Sequence, residues 1–495
     1  MRIVPEKLLK ALILLWNKAF LLCRYLSSLL GHIKLSPSPI LIKKTDYKGD
    51  NMSSKSEFLG TENVHKLILK FGSFSVITML ATGAVSMIGT LIVSKGIDIH
   101  AVGAMGVLFP LITVYFGFSQ LVAIGSASYI SRMLGKDQQT EVKASIFVAY
   151  ALTLILSILL IGITWLFMDQ ILTFLGADGE YEQTSRTYLS IFIYSIPFTA
   201  MTLLSSAIFR AYGKLNLSML VILIESGLII GLDALLIFVF SAGIIGVAVS
   251  NSIAGVIASI VGIILLIKIN GGKQNLKAAF KWDLGILKNI SNIGISALGR
   301  SLATAIFAFI LNKAVAQLGG DEALTALGTV NRIIVFLLFA IMGINQAVQP
   351  ILSYNYTAQK SDRVKQSLKY ALIYATLIGL VGTFLGLFIP DDVVAIFTSN
   401  ADILDDATLI FKMQLVLYLT VGIQTLSATY FQAIGNAWKS FFLSVFKPLL
   451  ILIPLIYFLP YILENSILIL WWIFPIADIF ATIVCLLLLR RGIKN

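Results

Sequence analysis

Charge is what this chain has least of. Lys, Arg, Asp and Glu together make up 13% of its 495 residues, against 58% hydrophobic, which leaves too little polar surface for a soluble globule of this size. Cysteine is nearly absent: Cys23 and Cys485 lie in the N-terminal extension and the last apolar run, so no disulfide framework is indicated. The three histidines, His32, His65 and His100, share no metal-ligand spacing. No GxxxxGK phosphate loop followed by Ser or Thr is present to power a primary pump. Clustered His, Ser or metal-ligand constellations of the kind catalysis needs are missing as well, so an enzyme is not expected. The strand-scale alternation of an outer-membrane barrel is lacking too, which leaves a helical bundle.

Present instead are long hydrophobic runs, recurring from Lys70 to Leu489. About twelve are long enough to span a bilayer, near Phe71–Ser94, Val107–Met133, Ile146–Met168, Tyr188–Phe209, Leu217–Phe240, Ile244–Ile267, Ile286–Leu318, Leu327–Tyr354, Leu368–Pro390, Thr408–Ala433, Phe441–Leu459 and Ile467–Leu489. The net charge of +12 is gathered in short connections rather than in a nucleic-acid-binding stripe. One alternating set is basic, with Arg132, Lys136 and Lys143, then Arg210 and Lys214, then Lys268 to Lys288, then Lys360 to Lys369, and finally Arg490, Arg491 and Lys494. The other is acidic, with Asp169, Asp178, Glu180 and Glu182, then Asp321 and Glu322, then Asp391 to Asp406. Positive charge on the cytoplasmic side therefore puts both termini in the cytoplasm of a multi-pass protein of the cell membrane.

The first 51 residues differ. LLKALILLWNKAFLLCRYLSSLLG is broken by Lys10, Lys18 and Arg24 and followed by a Pro- and Lys-rich linker, a poor spanning segment. It reads as a basic surface helix, as a targeting segment with an unconvincing cleavage site, or as sequence upstream of a true start at Met52. The rest divides in two. Gly117-Phe118-Ser119-Gln120 is echoed by Gly343-Ile344-Asn345-Gln346, and Phe209-Arg210-Ala211-Tyr212-Gly213 by Phe431-Gln432-Ala433-Ile434-Gly435, at nearly one separation. The expected organisation is an extension (1–56), a six-helix N-lobe (57–268), a basic linker (269–288) and a six-helix C-lobe (289–495). These lobes form an all-α polytopic fold related by a parallel internal repeat.

The fifth span carries two carboxylates, Glu225 and Asp233. An acid at the centre of a membrane helix costs roughly 2.5–3.5 kcal/mol even on the lower scales, so such groups face a bundle interior or a cavity and serve ions, protons or cationic ligands. Eight residues separate the pair, about 12 Å of rise, at two depths on broadly one side of the helix. A carboxylate that holds a proton, Na⁺ or a cationic drug, one at a time, is an antiport element. Arg300 and Asp478 stand as partners for buried charge or as inter-helix hydrogen bonds. Gln120, Asn312, Gln346, Gln349 and Gln424 suit a cavity wall, joined by Tyr354 as a substrate candidate, although each also serves as helix–helix glue. Met79, Met87, Met201 and Met219 supply an adaptable apolar surface or ordinary filling.

Several stretches carry a resemblance. FAIMGINQAVQPILSYNYTAQ (Phe339–Gln359), IFRAYGKLNLSM (Ile208–Met219), GLDALLIF (Gly231–Phe238), LSVFKPLLILIP (Leu443–Pro454), PIAD (Pro475–Asp478) and LGTENVHKLILKFG (Leu59–Gly72) together resemble the MATE (multidrug and toxic compound extrusion) transporters, in their MepA/DinF-like branch, over roughly residues 57–490. The resemblance implies two six-helix lobes in a V and cation-coupled efflux of hydrophobic, often cationic compounds, with Asp233 as the coupling acid. It also exposes departures. The first-span acid of that branch is Gly89 here, the Asn four before the fifth-span Asp is Ile229, and the seventh-span acid of the NorM-like branch falls on Thr304.

The expectation is therefore an H⁺- or Na⁺-coupled antiporter without a cofactor. It works as a monomer in the lipid bilayer on small hydrophobic or cationic substrates, without nucleic acid. The alternative is a flippase for a lipid-linked or amphiphilic precursor, which a strongly cationic cavity would favour. The charge pattern itself is testable. With Cys23 and Cys485 replaced by Ser, a cysteine at Glu322 should react with an impermeant maleimide in intact cells, and one at Lys365 only after permeabilisation; the opposite pattern inverts the topology.

Overall fold

The computed structural model describes residues 57–177, 180–270, 282–397, 401–462 and 467–494. The N-terminal extension, the proposed Met52 start and most of the basic linker lie outside them. Among the described residues every regular element is helical. That is the outcome hydrocarbon imposes, because backbone N–H and C=O groups find no water there and must bond within the segment.

Twelve helices are long and apolar enough to cross a membrane. They are α1 Val64–Gly96, α2 His100–Gly135, α3 Gln139–Leu166, α4 Tyr181–Ala211, α5 Leu215–Val239, α6 Gly243–Ile269, α7 Leu284–Gly320, α8 Glu322–Thr357, α9 Ser361–Phe388, α10 Ile403–Ala433, α11 Ala437–Pro460 and α12 Ile467–Ile493. Most run past the expected apolar boundaries, and four of them begin on a side-chain cap. Asn63 accepts from the Lys66 amide, Asp98 from Ala101 at 2.6 Å, Asp283 from Gly285 at 2.7 Å and Asn436 from Lys439 at 3.2 Å. Each satisfies an amide that the first turn leaves open. Between α7 and α8 there is almost no loop. Gly320 turns the chain with φ 66° and ψ −162°, a conformation effectively reserved for glycine.

The two halves follow one plan. Gly213 and Gly435 adopt positive φ after α4 and α10, and Asp137 and Gln359 do so after α2 and α8, both pairs at the interval of the Phe209/Phe431 echo. Short 3₁₀ turns interrupt α4 at Ile193–Ser195 and α10 at Tyr418–Thr420. π-turns occur at Leu235–Val239 in α5 and Phe446–Leu452 in α11. Short helices at Met168–Phe174 and Pro390–Ala395 follow α3 and α9. The positive-φ turns and the short helices recur at one interval and the 3₁₀ turns within three residues of it, which shows α1–α6 and α7–α12 to be copies of one unit, while the two π-turns lie in the corresponding helices α5 and α11 but about ten residues out of register.

The units meet through α1 and α2 on one side and α7 and α8 on the other, and the meeting is made by glycine. A Cβ on Gly125 would strike the Ile290 carbonyl, one on Gly294 the Leu121 backbone, and one on Gly343 the Val76 backbone at 2.6 Å. Lipid gives helices no hydrophobic reason to associate, so backbones brought this close supply the packing that holds the seam. At the basic end the seam is tied by hydrogen bonds as well. Ser128 Oγ donates to the Gln432 carbonyl at 2.9 Å, Thr357 Oγ1 to the Arg132 carbonyl at 2.9 Å and Asn355 Nδ2 to the Leu59 carbonyl at 2.9 Å.

Gly294→Ala should lower the apparent melting temperature in detergent, since the new methyl displaces α2 at a cost of about 1–3 kcal/mol. Gly227→Ala, whose Cβ meets nothing within 4 Å, should leave it unchanged or raise it. Equal behaviour of the two would remove glycine contact as the cause of seam stability.

Candidate functional site: buried charges in the two units

Asp233 sits near the acidic end of α5 with 2% of its surface exposed. Ser250 of α6 donates its hydroxyl to Oδ1 in a short hydrogen bond. The other oxygen looks at an absence: a Cβ on Gly89 of α1 would stand 3.8 Å from Oδ2. The position where the resemblance places a first-span acid is therefore the immediate neighbour of Asp233, and in this chain it is left as open space. Buried Tyr188 of α4, stacked on Phe192 at 5.2 Å, is close enough to feel the carboxylate's charge. The π-turn begins two residues after Asp233, a kind of irregularity that recurs at functional positions.

Glu225 occupies a different environment, which corrects the expectation that the two acids share one side of the helix. Eight residues amount to 800°, about 80° beyond two full turns. This rotation carries Glu225 away from α6 and α1 toward Thr199 of α4, its hydroxyl neighbour. It is 7% exposed, and its Oε1 has no hydrogen-bond partner among the described residues. A buried carboxylate oxygen left unpartnered is costly, typically 1–3 kcal/mol or more for a charged group.

The second unit holds a feature the sequence reading missed. Asp478 of α12, 3% exposed, accepts from Lys447 Nζ of α11 at 2.5 Å and from Gln424 Nε2 of α10 at 2.8 Å. Gln424 also reaches Thr482 Oγ1 at 3.1 Å. Asp478 is thus spoken for by Lys447 and not by Arg300, and Gln424 is the third member of this cluster. The signal was in view: Lys447 is the lone cation within the apolar run Leu443–Pro454, and an intramembrane lysine requires a named partner.

The remaining candidates do not converge on one pocket. Gln120 is buried in α2. Gln346 donates to Met79 Sδ at 3.3 Å, and Gln349 lies 3.4 Å from both the Ile124 carbonyl and Gln432 Oε1. Both glutamines belong to the seam between units. Tyr354 lies at the basic end of α8, its ring against Gly60 and its backbone against Gly135, away from the deep acids. Asn312 is exposed on α7, and Thr304 is exposed one turn beyond half-buried Arg300. Arg300 forms no ion pair among the described residues.

Comparison with known proteins agrees with this architecture. The MatE family model matches twice, over residues 75–235 and 297–458, so the internal repeat coincides with a repeated family unit. The chain is 30% identical over 362 residues to the multidrug export protein MepA of Staphylococcus aureus (strain MSSA476), covering 73% of this chain and 79% of that protein. Among solved structures, an outward-facing conformation of a multidrug resistance MATE family transporter of the MOP superfamily superposes with a TM-score of 0.84 at 22% identity, over 91% of this chain and 99% of that one. A MOP superfamily transporter from Pyrococcus furiosus, described by the reverse polarity of its binding pocket, superposes with a TM-score of 0.83 at 23% identity, over 91% and 99%.

Breaking the Lys447–Asp478 pair from one side strands a half-buried ammonium inside the membrane span. Asp478→Asn should therefore destabilise the protein by about 3–5 kcal/mol, and Lys447→Met combined with Asp478→Leu should recover most of that loss. The check is thermal unfolding across the double-mutant cycle; additive losses would mean that the two side chains do not act as a pair.

Proposed function

The chain belongs to the MATE family, and from that premise we propose that it is an antiporter of the cell membrane. Inward flow of H⁺ or Na⁺ drives export of hydrophobic, often cationic compounds by alternating access; the relative MepA is itself named a multidrug export protein. The observation that carries the reading is the pair of deep acids in the first unit, neither of which has a cationic partner among the described residues. Asp233 is held by a serine hydroxyl and Glu225 has an unpartnered oxygen. An unpaired carboxylate in a low-dielectric site is satisfied by a proton, a metal cation or a cationic ligand, and only by one at a time.

Competition for that charge is the coupling. A cation arriving from outside displaces a cationic substrate from Asp233, and the liganded and unliganded states favour different packings of the units, as differential affinity requires. Gly89 leaves Asp233 as the lone acid at its depth, so a single positive charge suffices to neutralise it. Glu225, about 12 Å deeper along α5, supplies a second station on the route. The basic end of the bundle faces the cytoplasm, so the glycine seam and its hydrogen bonds close the inner side. The protein acts as a monomer and uses no cofactor beyond the coupling ion. A flippase would need a strongly cationic interior, whereas the deep charges of this protein include two acids, Asp233 and Glu225, without a cationic partner among the described residues.

Efflux of a fluorescent cationic dye from energised vesicles, with pH and Na⁺ gradients imposed separately, tests the reading. Wild type should export dye under one gradient, Asp233→Asn should lose at least about tenfold of that rate, and Glu225→Gln should be slowed. Normal export by Asp233→Asn would remove this carboxylate from coupling, and normal export by Glu225→Gln would remove the second station.

A further inference from the structure

The interior of the second unit has the opposite electrical character to that of the first, and one of its cations has no acid to answer it. Helical geometry shows where Arg300 points. Ser296 lies four residues before it and Phe307 seven after, rotations that place both within about 40° of Arg300 around α7. Ser296 Oγ accepts from Gln432 of α10 at 2.7 Å, and the Phe307 ring meets Phe474 of α12 edge-on at 6.4 Å. Leu298 and Ser301, which meet α2 at Gly117, lie well away from that side. Arg300 is therefore directed into the second bundle, between the surfaces covered by α10 and α12.

The acid in that bundle is already engaged, since Asp478 is bound by Lys447 and Gln424. Lys447 stands in the repeat where Glu225 stands in the first unit, at the same interval as Gly213 and Gly435. Duplication has thus put a base in the register of an acid. Arg300 is left with no ion pair and with no hydrogen bond from its guanidinium among the described residues, yet part of its surface stays accessible. Thr304, exposed one turn further along α7, adds a hydroxyl beside the approach. A guanidinium cannot be relieved by losing its proton, and its planar fork is shaped for a carboxylate.

We propose that Arg300 is an anion-accepting centre in the second unit, and that it takes the carboxylate of amphiphilic substrates which also carry a positive charge. The site deepens the export reading and rests on it for the amphiphilic character of the substrate. Binding is measured without any gradient, so a failure of ion coupling at Asp233 leaves this result untouched.

Rhodamine B and its ethyl ester share one xanthylium cation and differ in the free carboxylate, which makes them the probes. Their equilibrium binding to the purified full-length protein in nanodiscs is read by fluorescence anisotropy. The ratio of acid to ester affinity should fall roughly tenfold in Arg300→Gln, the scale of one charge-assisted contact, and should be largely kept in Arg300→Lys. Unchanged ester binding shows the variant to be folded; if Arg300→Gln does not fold, Arg300→Met carries the same comparison. An unchanged ratio in the folded variant overturns the proposal, as does equal loss of acid and ester. Displacement of rhodamine B by chloride alone at ordinary salt would identify a free anion as the occupant and overturn the assignment to a substrate carboxylate.

Discussion

An ionised group in hydrocarbon has to be answered by something, and the buried acids of this protein are answered in three ways. Asp478 has a lysine and a glutamine. Asp233 has a serine hydroxyl and, beside its other oxygen, the space left by Gly89. Glu225 has an oxygen with no partner among the described residues. The first arrangement completes itself and joins α10, α11 and α12. The other two are incomplete until a cation arrives, and that incompleteness is what a coupling site needs. Under the proposed function, stability and transport make opposite demands on the same residue type, and the two demands fall in different units.

The internal repeat explains how this division arose. Two copies of one six-helix unit keep their turns and 3₁₀ breaks in or close to register because these depend on backbone geometry, which both copies share. Charge at a given register is free to diverge, since it depends only on which side chain is present. Glu225 and Lys447 show the result, an acid and a base in corresponding places with different neighbours.

Alternating access requires the seam to hold and to release. Its glycines give large areas of close backbone packing with few long side chains to disentangle, and its hydrogen bonds cluster at the basic end, where Asn355, Thr357 and Ser128 each cross between units. Under the proposed alternating access, a contact made of many shallow van der Waals interactions and a few terminal hydrogen bonds is suited to opening by rigid-body rocking without unfolding either bundle. Gln346, Gln349 and Tyr354, which a sequence reading assigns to a cavity, lie at this seam.

Hydropathy by itself determined the helical class, the twelve spans and the alternation of basic and acidic ends, because these follow from the bilayer acting on each segment separately. Two short echoes were enough to locate the duplication. The intramembrane acids Asp233, Glu225 and Asp478 were also legible, since a charge in an apolar run stands out whatever surrounds it. Partnership was not. That Asp478 belongs to Lys447 rather than Arg300, that Glu225 turns away from Asp233, and that Gly89 borders Asp233 are contacts between helices far apart in sequence, set by helix rotation and crossing. Only the tertiary structure decided them, because a spacing along one helix fixes an angle about its own axis and says nothing of which neighbour occupies that direction.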